Sequence, residues 1–343
     1  MTVRVGINGF GRIGRSFYRA ILERGAAAGV ELVAVNDPFG DAETMAFLLK
    51  HDSVGGTLAQ TVAATDGGFS VDGTLVKKLE FRDPAEIPWG DNGVDVVIES
   101  TGLFTAREGA AGHLNGGAKR VIISAPSGDA DATICMGVND SVFDPAAHTV
   151  ISNASCTTNC LAPLAKVLDD AFGIEQGLIT TVHAYTSDQQ LQDQATATRS
   201  GKPDLRRMRA AALSIIPNST GAARAIGLVL PNLKGKLDGM ALRVPTPTGS
   251  ITDLVAVVKS DVDAAAVNAA FAKAAADPAF RGVLKYSDEP LVSADIVHDP
   301  SSCVFSSLDT MTNGRQVKVL GWYDNEWGYS NRLVDLVEFI GSK

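Results

Sequence analysis

A glycine-spaced turn constrains this chain more than any other feature. In GINGFGRIGR, Gly9, Gly11 and Gly14 fall in G-x-G-x-x-G spacing. The motif directly follows a β-branched run, Val3 to Ile7, and opens a stretch whose Ile13, Phe17, Ala20 and Ile21 recur at helical spacing. In such a strand–turn–helix Gly9 allows the tight turn, Gly11 lets backbone approach a pyrophosphate, and Gly14 lets helix and strand pack closely. The helix N-terminus then faces the phosphates, and Arg12 adds a cation. The apolar stripe faces a sheet, while Arg15, Arg19 and Glu23 are expected to stay in water. A second run, Glu31 to Asn36, ends at Asp37, close to the ~20-residue separation at which a carboxylate accepts hydrogen bonds from a ribose. Two uses are open to Asp37: that one, or capping the loop before Pro38. Together the turn and the acid indicate dinucleotide binding, with NAD preferred over NADP because an Asp repels a 2′-phosphate.

Further apolar runs, Val94 to Glu99 and Val121 to Ser124, alternate with amphipathic stretches, the pattern of βαβ units on a largely parallel sheet. The segment TDGGFSVDG reads as a hairpin appended to that sheet. Beyond Ser152 the texture changes. Asn159 to Phe172 reads as a helix, and Leu178 to Tyr185 as a strand with Ile179, Thr181 and His183 on one face. Ile251 to Lys259 reads as a strand, Val262 to Ala276 as an Ala-rich helix, and Asn331 to Ile340 as a helix whose Leu333, Leu336, Val337 and Ile340 must dock. No internal repeat or flexible linker is visible. At 343 residues and 45% apolar composition the chain suits a globular protein of about two domains.

Thirty Lys and Arg against 39 Asp and Glu leave a net charge of −9, so nucleic acid is not expected as the main partner, and an anionic ligand needs locally placed cations. The four cysteines, Cys135, Cys156, Cys160 and Cys303, form no C-x-x-C pair and sit at no zinc spacing, so neither a disulfide framework nor a metal site is expected. No basic leader runs into an apolar stretch, and no run nears the ~18 apolar residues of a membrane span. The reading is a soluble, cytoplasmic protein.

In ISNASCTTNCLAPL, Cys156 stands just before the predicted helix, with Ser155, Thr157 and Thr158 as capping hydroxyls and backbone donors. A thiol at a helix N-terminus is expected to have a lowered pKa and to act as a nucleophile. Cys135 and Cys303 read as buried and inert, and Cys160, one turn beyond Cys156, as a bystander. His183 could be structural, but a Cys and a His on adjoining elements point to a thiolate paired with an imidazole. Arg199, Lys202, Arg206, Arg207 and Arg209 cluster in what reads as a solvated loop. Arg243, alone among apolar neighbours in LRVPTP, implies a specific partner such as phosphate. Thr186, Ser219 and Thr220 can add neutral donors around an anion.

Ten ordered segments, GINGFGRIGR, VNDP, FRDP, ESTGLF, VIISAPS, SNASCTTNC, VHAYT, IIPNSTGAA, LRVPTP and WYDNEWGYSNR, closely resemble those of the phosphorylating glyceraldehyde-3-phosphate dehydrogenases. The resemblance implies an α/β protein with a Rossmann-like NAD-binding domain over 1–152 and 326–343 and an α+β catalytic domain on a mixed sheet over 153–325, assembled as a homotetramer. It implies oxidation of glyceraldehyde 3-phosphate with NAD and inorganic phosphate, with Cys156 as nucleophile and His183 as base. Arg12, Ile13, Asp37, Arg82, Ser124 and Asn325 then match cofactor contacts, beside the turn glycines. Thr186 and Arg243 match the site of the substrate's own phosphate. Ser155, Thr157, Thr220, Gly221 and one of Arg206, Arg207 and Arg209, with Arg207 preferred, match donors to the attacking phosphate. Two alternatives share these residues: an erythrose-4-phosphate dehydrogenase using water as acceptor, and a cofactor-sensing or RNA-binding protein without turnover. The loop SDQQLQDQATATRSGKP is longer than the resemblance leads one to expect. It reads as a surface insertion, with control of electrophile access to Cys156 as a second possible use.

Overall fold

The computed structural model describes residues 2–195 and 204–343. Arg199, Lys202 and much of the longer loop lie outside the described residues. Contacts divide the chain into two units, Met1–Ser155 with Ser330–Lys343, and Cys156–Tyr329.

The first unit contains β1 (Val3–Asn8), α1 (Arg12–Arg24), β2 (Val30–Asn36), α2 (Ala42–Lys50), the short pair β3 (His51–Asp52) and β4 (Gly56–Thr57), then β5 (Val62–Thr65), β6 (Gly68–Val71), β7 (Thr74–Leu79), β8 (Val96–Glu99), α3 (Arg107–Asn115), β9 (Arg120–Ile123), β10 (Ala132–Thr133) and β11 (Val150–Ser152). Nine strands form one sheet in the order β10-β11-β9-β8-β1-β2-β7-β6-β5. From β10 to β7 all neighbours are parallel, and β6 and β5 continue antiparallel. TDGGFSVDG is therefore not one hairpin. It supplies the middle strand of a three-stranded meander, with a turn at each end. Burial on both faces explains the apolar runs of β8 and β9 and of β1 beyond the exposed Arg4.

Helix α1 buries Phe17, Ala20 and Ile21 as its spacing requires. Arg19, expected in water, is buried instead. Its guanidinium donates to the carbonyls of Leu49 (2.6 Å), Lys50 (3.2 Å) and Gly56 (3.1 Å), so the fork satisfies the last turn of α2 and ties it to β4.

The second unit contains α4 (Cys156–Phe172), β12 (Ile174–Ala184), β13 (Ile216–Ser219), α5 (Ala222–Val229), β14 (Leu237–Val244), β15 (Ser250–Val258), α6 (Ala264–Ala275), β16 (Leu284–Ser287), β17 (Cys303–Asn313) and β18 (Gln316–Tyr323). Its seven-stranded sheet runs β13-β14-β12-β15-β18-β17-β16 and is mixed, with β12/β14 and β16/β17 parallel and the other pairs antiparallel. Helices α4, α5 and α6 pack on this sheet. Strict alternation of buried and half-exposed residues along β15 marks one covered face. Ile179, Thr181 and His183 share the covered face of β12. The last helix, α7 (Trp327–Gly341), begins in the second unit and belongs to the first from Ser330 onward. There Arg24, ending α1, donates to Asn331 (2.8 Å) and Asp335 (2.6 Å), and Leu333, Leu336, Val337 and Ile340 are buried.

Candidate active site

The strand order of the first sheet reverses at β1, with β2 on one side and β8 on the other, and the glycine turn sits at the carboxyl end of β1. Open parallel sheets bind ligands at such a switch point. Gly9 has φ +92°, and a Cβ there would collide with the Thr101 backbone. A Cβ at Gly14 would lie 2.4 Å from Gly9 O, whereas one at Gly11 would meet nothing within 4 Å. The turn is thus closed at Gly9 and Gly14 and open at Gly11, where a pyrophosphate needs room, and this fits a dinucleotide. Asp37 accepts from the N–H groups of Phe10 (2.8 Å) and Phe39 (2.9 Å), so it does cap its loop, and each oxygen keeps lone pairs for a ribose. Arg12 is paired with Asp52 (3.0 and 3.3 Å). Ile13 is half-buried, the exposed Arg82 lies over the Phe39 ring, and Ser124 donates to Glu99 O (3.0 Å).

Beneath the turn is a closed polar cluster that the sequence did not single out. Buried Glu99, ending β8, accepts from Asn8 Nδ2 (2.6 Å), Thr101 N (2.9 Å), Thr101 Oγ1 (2.5 Å) and His113 Nε2 (3.0 Å). Trp89 Nε1 donates to His113 Nδ1 (3.0 Å).

In the second unit Cys156 is the first residue of α4, not the residue before it. Ala154 holds φ +56° while fully buried, a conformation costing about 1–2 kcal/mol in a residue with a Cβ. Strain of this kind concentrates where a neighbouring group must be aimed. Cys156 Sγ lies 3.4 Å from His183 Nε2. His183 and Arg243 are directly opposite each other in the parallel β12/β14 register. Arg243 Nη1 lies 2.8 Å from His183 Nδ1, donates to Ala184 O (2.9 Å) and reaches Thr186 Oγ1 (3.2 Å).

The electrostatics correct one expectation. Burial pushes the Cys156 thiol pKa up, and the opposing pull of Arg243 and the Thr157 donors does not overcome it. Burial first, and the Arg243 charge second, push His183 down to about 3. Burial thus disfavours charge on both the thiol and the imidazole. Cys135, pushed up to about 12 by burial, and Cys303, also pushed up by burial, are enclosed as expected.

Thr157 is buried, and its hydroxyl bonds Tyr323 Oη (2.9 Å), which also bonds Thr181 (2.8 Å). The Tyr323 ring stands edge-on to His183 at 5.9 Å. Tyr323 lies 140 residues beyond His183, and no local pattern joins them. Asp188, two positions beyond Thr186, carries no motif of its own in the sequence. Its carboxylate accepts from Thr186 Oγ1 and pairs with Arg207. Arg206 reaches Pro217 O and Arg209 pairs with Asp193, so Arg207 alone of the three joins this cluster. Arg243 Nε is buried without a partner, a donor suited to an anion. Asn325 is buried with its Oδ1 held by Ser250 (2.8 Å). Half-buried Ser155 directly precedes Cys156, and Thr220 and Gly221 lead into α5. Among the described residues no group of three His, Cys, Asp or Glu could hold a metal, and no helix is long and apolar enough to cross a membrane.

A dinucleotide-type sheet carrying this turn, in a chain that also holds a Cys–His pair beside an arginine, defines the class of NAD-dependent dehydrogenases that work through a cysteine. Residues 3–107 match the NAD binding domain, and residues 155–325 the C-terminal domain, of glyceraldehyde 3-phosphate dehydrogenase. The chain is 59% identical to the glyceraldehyde-3-phosphate dehydrogenase of Streptomyces coelicolor over 100% of both chains. It is 60% identical to that of Mycobacterium avium and 59% to that of Mycobacterium tuberculosis, over 99% of each chain. The chain belongs to the glyceraldehyde-3-phosphate dehydrogenase family.

Proposed function

We propose that this protein oxidises D-glyceraldehyde 3-phosphate to 1,3-bisphosphoglycerate, reducing NAD and consuming inorganic phosphate. The observation that carries the reading is the 3.4 Å approach of Cys156 Sγ to His183 Nε2, within reach of an arginine with an unused buried donor. Cys156 adds to the aldehyde carbon as His183 Nε2 takes up the thiol proton, and the product is a thiohemiacetal. Backbone N–H groups at the start of α4 stabilise the oxyanion. NAD, when bound, supplies the acceptor that lets this adduct become a thioester. Inorganic phosphate then attacks the thioester carbon, the carbon–sulfur bond breaks, and the acyl phosphate is released with Cys156 regenerated as its thiolate.

Thr186 and Arg243 hold the substrate's phosphate. Ser155, Thr157, Arg207, Thr220 and Gly221 hold the attacking one, Thr157 chiefly through its backbone because its hydroxyl is committed to Tyr323. Gly9, Gly11, Arg12, Ile13, Gly14, Asp37, Arg82 and Ser124 bind the cofactor, and Asn325, its oxygen fixed by Ser250, donates to the nicotinamide carboxamide. The cofactor domain spans 1–152 and 326–343, and the catalytic domain 153–325. The protein is a cytoplasmic homotetramer; exposed Leu178, Met240, Leu308 and Met311 support assembly.

The test follows NADH formation from glyceraldehyde 3-phosphate with and without inorganic phosphate, comparing NAD with NADP and native protein with Cys156→Ser. Phosphate-dependent NAD reduction that vanishes in the variant is expected. Turnover that ignores phosphate sinks the phosphorylating reading, and NAD binding without turnover leaves a sensor.

A further inference from the structure

We propose that the buried hydroxyl of Ser250 is a positioning group: it fixes which end of the Asn325 amide meets the cofactor and ties that amide to the strand carrying His183. The inference deepens the function proposed above and rests on it. Ser250 Oγ has two close neighbours, Ala184 N at 3.0 Å and Asn325 Oδ1 at 2.8 Å. Their chemistry sets the direction of both bonds. A backbone N–H can only donate, so Ala184 fills a lone pair of the hydroxyl, and the hydroxyl hydrogen is left for Asn325. The end of an amide that receives a hydrogen is its oxygen, and Nδ2 is thereby the end that donates elsewhere.

Thr248, the other hydroxyl at this amide, does not make the choice. Its Oγ1 lies 2.8 Å from Asp324 Oδ1 and 3.3 Å from Asn325 Oδ1, so the carboxylate holds its hydrogen. Asp324 is itself pinned by the N–H groups of Glu326 and Trp327, where α7 begins, and of His298, each at 2.9 Å. With its hydrogen committed, Thr248 can accept from an amide turned either way round. Were the Asn325 amide to turn over, only the Ser250 hydrogen would lose its acceptor.

The backbone places Ser250 for this task. Gly249 holds φ +86°, and a Cβ there would lie 2.3 Å from Ser293 O, so the chain enters β15 through a turn that excludes a side chain. The β12/β15 ladder ends at Val182 opposite Ile251, and beyond it the Ala184 N–H meets the Ser250 hydroxyl. That N–H belongs to the peptide joining Ala184 to His183. One buried oxygen therefore stands between the amide that holds the nicotinamide carboxamide and the peptide that holds the base. Displacing either relative to the other breaks a buried hydrogen bond, and a shift of about 1 Å at a reacting centre can cost about a hundredfold in rate.

Calorimetric titration of the nucleotide-free, full-length protein compares NAD with ADP-ribose, which keeps the adenosine and pyrophosphate and lacks the nicotinamide. Ser250→Ala is expected to weaken NAD about tenfold, the scale of one hydrogen bond, and to leave ADP-ribose within about twofold of native. Equal losses for both nucleotides, or none for either, overturn the proposal. On an Asn325→Ala background, Ser250→Ala is expected to weaken NAD no further, because a group that acts through Asn325 then has nothing to act on. A second, additive loss overturns it. With NAD saturating, kcat of Ser250→Ala is expected to fall about tenfold, since the ring is bound without being held in register with His183; a native kcat overturns the tie to that strand. Should melting show Ser250→Ala to be unfolded, Ser250→Cys, of similar shape and a weaker donor, is judged by the same criteria. The binding readings need no turnover, so their failure is separate from failure of the NADH assay.

Discussion

His113 and His183 are both buried, at 0% and 4% exposure, yet the protein treats them in opposite ways. The close partners of His113 agree: an indole that can only donate faces Nδ1, and a carboxylate faces Nε2 at 3.0 Å, nearer than the Asn8 amide at 3.4 Å, so one tautomer satisfies both. The partners of His183 disagree at Nδ1, where a guanidinium can only donate and the Ala184 carbonyl can only accept, and its other nitrogen faces a thiol. A histidine with every bond matched stabilises; one with a conflict at one nitrogen and a nucleophile at the other is set up to exchange a proton. Burial alone does not separate the two cases.

The comparison breaks first on rates. His183→Asn is expected to lower kcat by roughly a hundred- to ten-thousand-fold, the range for a lost general base, with the melting temperature at or above that of the native protein. A kcat within tenfold of native removes His183 from its role. Glu99→Gln and His113→Asn are expected to do the reverse. Each leaves buried groups unmatched and costs about 3 kcal/mol in urea unfolding, while kcat per NAD-saturated folded enzyme stays within a few-fold of native. A stable Glu99→Gln protein with lost turnover would move that cluster into the catalytic machinery.

Acid titration sharpens the contrast at a smaller scale. The folded-state pKa of His183 is near 3, against about 6.5 in an unfolded chain. As pH falls below 6.5 the unfolded chain takes up the proton and the folded protein does not, so stability declines towards pH 3, by about 2 kcal/mol at pH 5 from this group. The acid limb of stability should be shallower in His183→Asn, and equal limbs would contradict the lowered pKa of His183. A loss of similar size, about 2–3 kcal/mol, is expected of Trp89→Phe, which removes the hydrogen bond to His113 and empties part of a fully buried site. Loss of NAD binding in that variant would show that the cluster reaches the turn.

Periodicity made α1 and its buried stripe legible, and the turn glycines named their own constraints. Arg19 was misread because outward spacing says nothing of a helix end that needs donors, and that need arises 30 residues away at Leu49. Cys156 was placed outside α4 because capping residues crowd the segment and the helix starts among them. Its raised thiol pKa was out of reach too: a helix terminus is visible in a sequence, while the depth at which it lies is not. His183 and Arg243 stood out one by one, but that they face each other is a matter of β12/β14 register. Tyr323 could not be found, since its role comes only from contact with Thr157 and Thr181.

The division of the chain also orders events in time. The first unit draws on Ser330–Lys343, whose Gly341 lies so close to Val3 that a Cβ would collide with it, while the second unit is one unbroken stretch. At ribosomal speeds of about 5–20 residues per second, roughly ten to forty seconds separate emergence of Ser155 from emergence of the helix that completes the first unit. During that interval the nascent parallel sheet lacks α7, and the groove that α7 will fill is open to chaperones. The second unit, which holds the reactive cysteine, can finish folding before the first is closed.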